Sequence, residues 1–252
     1  MGVVRLQLTG GEPLIDRYFV ETYAAAYDRG IVLTISTNGL WLGKPDILEL
    51  LQERPPLRVT VSLYGASAES YEAMTRTRPG TFNRYLKSLQ AMVDAGVSLR
   101  VNTIVSMFND HEIPQMEALA ARFSGDHHVY DTMSASILGS DEPLNLQADG
   151  LGGMTRTDRP AFTGCGAGQE SFHLDPLGRM SMCKASRETQ VSLLGDEREL
   201  SRLRLSAQLN LTRADGCTSC GIASACTTCP VIVKNYRRAG APGSFYCRSS
   251  SL

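Results

Sequence analysis

Apolar, strand-like runs alternate with amphipathic helical stretches through the first half of the chain. The patterns predict strands over 3–8, 31–35, 57–63, 97–105 and 128–132. They predict the intervening helices over 16–29, 45–51, 69–74, 83–95 and 112–123. Because parallel strands need a long crossover connection, usually a helix, this order predicts a parallel sheet with helices outside it, either doubly wound or barrel-like.

Four of these strands end in small polar or glycine-rich segments, which are Gly10-Gly11-Glu12, Ser36-Thr37-Asn38-Gly39, Ser62-Leu63-Tyr64-Gly65 and Asn102-Thr103. In parallel α/β folds, ligands bind beyond the carboxyl ends of the strands. An unpaired polar group in a buried strand costs about 1–3 kcal/mol, so Ser62 and Asn102 are unusual as plain strand residues. Each residue alone fits a turn or backbone-bonding role equally well, but four coincident strand ends favour a site.

The seven cysteines all lie at or after Cys165, and four of them form the run Cys217-x2-Cys220-x5-Cys226-x2-Cys229. An odd number excludes complete disulfide pairing within the chain, and clustered thiols in a reducing compartment bind metal or perform redox chemistry. The Cys229-Pro230 ending is typical of iron–sulfur ligand runs, whereas paired Cys-x2-Cys fits structural zinc equally well. Spacing alone leaves both metals open.

Composition bears on whether the chain binds nucleic acid or a membrane, and on where its domains meet. With 25 Lys and Arg against 26 Asp and Glu, the chain has no excess of cations for nucleic-acid phosphates. No apolar run approaches a bilayer span and no signal-peptide pattern opens the sequence, which predicts a cytoplasmic protein with no membrane partner. The Gly- and Pro-rich stretch 134–163 is the predicted connector between an α/β domain, 1–133, and a cysteine-rich domain, 164–252.

Gly10-Gly11-Glu12-Pro13 and the ordered cysteines together resemble radical S-adenosylmethionine (SAM) enzymes with a SPASM auxiliary-cluster domain. That family carries Gly-Gly-Glu-Pro after the second strand of a partial (β/α)6 TIM-like barrel. Its cysteine pattern is matched here by Cys165-x12-Gly178-x4-Cys183, the four-cysteine run and Cys247, except that the last interval of the run is x2 instead of the commoner x3. The resemblance covers essentially the whole chain and implies a partial barrel followed by a small iron–sulfur domain.

The resemblance also implies cofactor contacts. Gly10, Gly11 and Glu12 would bind the amino end of SAM, where backbone and carboxylate acceptors suit an ammonium group. The family places ribose and carboxylate contacts at the positions of Ser36, Asn38, Ser62 and Asn102. Arg76 or Arg78 would pair with the methionine carboxylate, a task suited to guanidinium, although a surface role remains open for either.

For the cysteines, the resemblance implies two auxiliary 4Fe-4S clusters. One would be held by Cys165, Cys183 and Cys229, which leaves one iron without a protein thiolate. The other would be held by Cys217, Cys220, Cys226 and Cys247. The fourth position of the first cluster is open to a substrate group, to water or to another ligand.

The family starts its reaction from a further 4Fe-4S cluster, held by Cys-x3-Cys-x2-Cys ahead of Gly-Gly-Glu-Pro. No cysteine precedes Cys165, so the resemblance implies a barrel lacking its first strand and the ligands of the initiating cluster. We favour a truncated reading in which Met1 is an internal methionine, because the family places an apolar residue and then Gly just before this strand. A second chain that supplies the strand, or a degenerate protein, are the alternatives.

The implied function is that of a peptide or protein maturase. A 5′-deoxyadenosyl radical would take hydrogen from a ribosomally synthesised precursor peptide, with the auxiliary clusters carrying electrons and a flavodoxin- or ferredoxin-type protein donating them. No side chain stands out as catalytic. The alternative is a non-catalytic cysteine-rich iron–sulfur or zinc module that binds a peptide or redox partner.

Overall fold

The computed structural model describes residues 2–151, 161–212, 217, 220–221 and 223–247. The chain forms two compact units, Met1–Asp131 and Thr132–Leu252. The predicted connector 134–163 falls in the second unit, and its residues 152–160, like Met1, lie outside the described residues. The domain limits 1–133 and 164–252 stay predictions.

The sheet of the first unit has five parallel strands, β1 (Arg5–Leu8), β2 (Val32–Thr37), β3 (Arg58–Leu63), β4 (Leu99–Ile104) and β5 (His127–Tyr130). Each strand pairs with the next strand along the chain, so the strand order is sequential. A doubly wound sheet reverses its order part-way, and that alternative is therefore wrong for these strands. That the sheet curves into part of a barrel stays a prediction.

Five helices connect the strands, α1 (Phe19–Tyr27), α2 (Pro45–Glu53), α3 (Ala68–Thr75), α4 (Thr81–Asp94) and α5 (Ile113–Phe123). Pro45 opens α2, where its missing N–H and fixed φ are tolerated. The first helix is shorter than the predicted 16–29. Asp16 Oδ1 accepts a hydrogen bond from the Tyr18 N–H at 2.8 Å, which closes a turn ahead of the helix instead of capping it.

Burial alternates along the strands with a period of two, so the sheet has two unlike faces. Apolar residues such as Ile35, Val61 and Val101 are buried on one face, while α1 contacts β2 and α5 contacts β4. The opposite face, which we call the open face, carries half-exposed polar residues, namely Thr34, Ser36, Thr60, Ser62 and Asn102.

The second unit contains a three-stranded antiparallel sheet, β6 (His173–Leu174), β7 (Arg179–Ser181) and β8 (Val191–Ser192). The turn over 175–178 joins β6 to β7 as a hairpin, and β8 pairs with the other edge of β7. Two helices follow, α6 (Glu197–Asn210) and α7 (Pro230–Arg238). A small core joins them through residues that include Met180, Leu203 and Val231. No helix in the described ranges is both long and apolar enough to cross a bilayer.

Candidate functional site

Strand register gathers polar side chains on the open face near the carboxyl ends of the strands. Ser62 of β3 lies opposite Asn102 of β4, and Ser36 of β2 lies opposite Thr60. Ser62 is two residues beyond Thr60, so Ser36 sits about 7 Å lower on the face than the Ser62–Asn102 pair. The structure thus brings Ser62 and Asn102 side by side and places Ser36 one row below them.

Asn102 carries an unmet hydrogen-bond acceptor. Its Oδ1 atom is buried and has no hydrogen-bond partner among the described residues. A buried acceptor without a partner costs about 1–3 kcal/mol, and native proteins retain few of them. A ligand that donates a hydrogen bond at this point would remove that penalty, so Asn102 marks the open face as a binding surface.

The loop after β1 exposes its backbone at Gly10 and Gly11. No atom lies within 4 Å of the point that a Cβ would occupy at either residue, and Gly10 has a φ of +143°, which favours glycine. The peptide groups of this loop are therefore open to an approaching ligand. These two residues and the orphaned Asn102 oxygen fit the backbone and amide contacts that SAM binding requires.

Glu12 joins the loop after β1 to the loop after β2. Its Oε1 accepts hydrogen bonds from the Leu14 N–H at 3.0 Å and from Thr37 Oγ1 at 2.7 Å. Its Oε2 accepts from the Asn38 N–H at 2.7 Å. Hydrogen bonds to a carboxylate are stronger than neutral ones, so this group, which we call the Glu12 tie, fixes the two loops relative to each other.

Asn38 and Arg76 have local roles in the structure. Asn38 Oδ1 accepts a hydrogen bond from the Leu40 N–H at 2.9 Å and so caps its own turn. Arg76 ends α3 with an exposed side chain and a left-handed φ of +53°, which no other non-glycine residue in the described ranges shares. The SAM contacts predicted for these two residues stay predictions.

A second carboxylate, Glu112, was missed by the sequence analysis. It accepts hydrogen bonds from the Ala66 N–H at 2.8 Å and from Ser70 Oγ, and so joins the loop after β3 to the loop after β4. Burial raises the pKa of Glu112, but hydrogen bonds from Ser67, Ser70 and Ala66 outweigh burial and hold it below its ordinary value. The partners are 42 and 46 residues away, so no local pattern could reveal this Glu112 tie.

We expect Glu112→Gln to destabilise the protein in a pH-dependent way. Because the folded-state pKa is lowered, the contribution of the carboxylate is complete above the ordinary Glu pKa and is lost as the pH falls through the folded value. Urea unfolding at neutral pH should show a loss of about 2 kcal/mol, and the gap between the variant and the unmodified protein should shrink in acid. Glu117→Gln, at an exposed position of α5, serves as the control, and a gap that does not change with pH would contradict the assignment.

Cys229 lies within electrostatic reach of two other thiols. Burial raises the pKa of Cys229, the N–H groups of Ile232 and Val231 lower it, and Cys165 and Cys183 raise it further, with a net upward shift. Cys229 is also the residue that precedes α7, and both Cys183 and Cys229 pack against the core of the second unit. These three thiols are the ones that the resemblance assigns to one cluster.

The other four cysteines are those that the resemblance assigns to the second cluster. Cys217 Sγ accepts a hydrogen bond from Arg237 Nη2 at 3.4 Å. In the part of the chain that the structure describes, no three His, Cys, Asp or Glu side chains converge as a metal site. Thiols are suitable ligands for both iron and zinc. Because the described thiols do not converge on one point, both auxiliary clusters stay predictions.

The first unit does not fit a thiolate-held initiating cluster, because the first cysteine of the sequence is Cys165. No reaction step through such a cluster follows from these 252 residues.

Comparison with known proteins bears on the first unit. Residues 1–120 match the model of the radical SAM superfamily. This stretch is similar to radical SAM domains. Two curated relatives are a GTP 3′,8-cyclase of Rhizobium etli, 32% identical over 174 residues, and an AdoMet-dependent heme synthase of Methanosarcina barkeri, 34% identical over 126 residues. The alignments cover 65% and 50% of this chain but only 49% and 36% of those relatives, so the chain spans half of their length or less.

Solved structures resemble the chain over both units. Streptococcus suis SuiB bound to precursor peptide SuiA aligns with a TM-score of 0.66 at 16% identity, over 98% of this chain and 65% of SuiB. The protein anSMEcpe with bound AdoMet aligns with a TM-score of 0.58 at 12% identity, over 93% of this chain and 81% of that protein. At these identities the likeness shows a shared fold.

Proposed function

We propose that the first unit is a radical SAM domain that binds SAM on its open face, and that the protein acts in the maturation of a peptide or protein. The observation that carries the SAM site is the buried Asn102 Oδ1 without a partner among the described residues, beside Ser62 at the carboxyl edge of the sheet. A ribose hydroxyl of SAM is the kind of donor that this oxygen lacks.

Each residue of the site has a separate task in this proposal. The exposed peptide groups of Gly10 and Gly11 accept hydrogen bonds from the SAM ammonium group, and Ser62 and Asn102 bind its ribose and carboxylate. The Glu12 tie holds the glycine loop at a fixed distance from the next loop. Bound SAM would supply a 5′-deoxyadenosyl radical for hydrogen abstraction only after one-electron reduction, and the first unit has no thiolates to hold the cluster that donates that electron.

A peptide substrate and two auxiliary clusters complete the proposal. The shared fold with SuiB, solved with the precursor peptide SuiA, and with anSMEcpe, solved with the Kp18Cys peptide, supports the peptide. The order and spacing of the seven cysteines support a first cluster on Cys165, Cys183 and Cys229 and a second on Cys217, Cys220, Cys226 and Cys247. A flavodoxin- or ferredoxin-type protein would supply the electrons. The two curated relatives are named as a GTP 3′,8-cyclase and a heme synthase, and neither name refers to a peptide. The peptide substrate therefore needs a test of its own.

Calorimetric titration with SAM, after anaerobic reconstitution with iron and sulfide, tests the site. We expect Asn102→Ala to weaken SAM binding by about tenfold, because about 1.4 kcal/mol of hydrogen bonding is lost. The matched control is Asn83→Ala, at an exposed position of α4, which should bind SAM like the unmodified protein. Equal affinity of Asn102→Ala and the unmodified protein would refute the site.

Metal analysis of the anaerobically purified protein, before any iron or sulfide is added, separates the maturase from its alternative. Iron with acid-labile sulfide supports the auxiliary clusters. Stoichiometric zinc without sulfide would instead favour a non-catalytic zinc module.

A further inference from the structure

The second unit contains a cavity of about 240 Å³ that the radical SAM chemistry leaves without a role. One wall is the face of α7 that carries Val231, Lys234 and Arg238, at helical spacing. The loop that follows Cys183 and the last residue of α6, Asn210, form a second wall. Ile137 and Leu138 form the lip, and Leu138 is 87% exposed.

The lining of this cavity carries an excess of positive charge. Among the described residues that line it, the cations are Arg187, Lys234 and Arg238, and the one anion is Glu188. Arg238 forms an ion pair with Glu188, so these two charges compensate each other. Arg187 and Lys234 have no carboxylate partner among the described residues.

Lys234 and Arg187 both have N–H groups that are available to a ligand. Lys234 Nζ donates to the backbone oxygen of Asn210 at 3.3 Å and to its Oδ1 at 3.4 Å, which leaves one ammonium proton unused. Arg187 donates from Nε to the Lys184 oxygen at 3.3 Å, and its two terminal NH2 groups have no acceptor among the described residues. A carboxylate between them would accept charge-assisted hydrogen bonds from both groups.

Hydrogen bonds within the loop that forms the lip fix its conformation. Gly139 N–H donates to the Ser136 oxygen at 3.0 Å, and Ser136 Oγ accepts from the N–H groups of Leu138 at 3.3 Å and Ser140 at 2.9 Å. Gly139 has a φ of +86°, and a Cβ there would lie 2.7 Å from Arg238 Cδ. The glycine therefore lets the loop approach Arg238 and hold the two apolar lip residues at the mouth.

We propose that this cavity binds an acidic side chain of the peptide substrate and so anchors the peptide to the second unit. The proposal rests on the peptide substrate proposed above. Pockets for drug-sized ligands measure about 300–1,000 Å³, so this smaller cavity suits one side chain better than a nucleotide. The two uncompensated cations match one carboxylate, and the apolar lip covers the methylene groups behind it.

A pull-down with two synthetic peptide pools tests the anchor. The pools share the same randomised flanks and differ only in a central Glu or Gln, and mass spectrometry measures the ratio retained by the full chain. We expect about tenfold enrichment of the Glu pool. Arg187→Gln and Lys234→Gln should each abolish that enrichment, whereas Arg202→Gln, an exposed position on α6 outside the cavity, should retain it.

Because Lys234 also bonds the end of α6, its variant needs a circular-dichroism check. Arg187 is exposed, so its variant decides the test if Lys234→Gln does not fold. Equal retention of the two pools would overturn the proposal. Displacement of the Glu pool by an equal concentration of glutarate would also overturn it, because the cavity would then be a site for a free small anion. Neither readout needs SAM, so loss of the SAM site and loss of the anchor are distinguishable.

Discussion

Glu12→Gln should lower the free energy of unfolding by about 3 kcal/mol and weaken SAM binding by at least about tenfold. The glutamine oxygen can replace Oε1, which accepts from Leu14 and Thr37. Its NH2 group then faces the Asn38 N–H, which lies 2.7 Å from Oε2 in the unmodified protein. Two donors would oppose each other, so the loops after β1 and β2 would separate. Urea unfolding and calorimetric SAM titration measure the two effects.

Glu117→Gln is the control for this variant, because it makes the same chemical change at an exposed position of α5. It should alter stability by less than about 0.5 kcal/mol. A Glu12→Gln protein of undiminished stability would contradict the Glu12 tie. Reduced stability with full SAM affinity would show that the tie serves the fold alone.

Gly65→Ala is expected to cost about 3 kcal/mol, the upper part of the usual range for overpacking. A Cβ at residue 65 would lie 2.5 Å from the Tyr71 backbone nitrogen and 3.0 Å from Tyr71 Cα. Both atoms belong to α3, so no side-chain rotation relieves the clash and the helix itself must move. That shift would also pull Ser70 away from Glu112. Thermal and urea unfolding measure the loss.

Gly125→Ala is the matched control, because a Cβ there meets no atom within 4 Å and neither glycine has a left-handed φ. This control should equal the unmodified protein in stability or exceed it slightly, since alanine restricts the unfolded chain more than glycine does. Gly65→Ala with unchanged stability would mean that α3 can move at no cost, and the close approach would not be a constraint.

Much of the first unit was predictable, because its order depends on local periodicity. All five strands and five helices were expected, and the structure moves their ends by only a few residues. The side-by-side position of Ser62 and Asn102 was also within reach, since polar residues at parallel strand ends share one edge. The distant hydrogen-bond partners of Glu12 and Glu112 could not be predicted from the sequence. They lie 25 to 46 residues away, and strand register and the approach of the loops bring them together.

The second unit was harder to predict for two physical reasons. In α7, the run Val231-Ile232-Val233 is β-branched and favours a strand by propensity, but Pro230 starts a helix whose buried face then decides the outcome. The strand β8 has two residues, too few to show a period. The spacing of the cysteines likewise identifies suitable ligands but does not determine how the chain brings them together.

Buried and half-exposed residues alternate along each strand, so residues next to each other in the sequence are constrained by different things, either core packing or ligand binding. Val61 is fully buried and is constrained by core packing, while Ser62, next to it, lies half-exposed on the open face and is constrained by what the protein binds. The same holds for Val101 and Asn102. Ligand preference can therefore be redesigned at the polar positions without repacking the interior, because adjacent residues in sequence occupy opposite sides of one sheet.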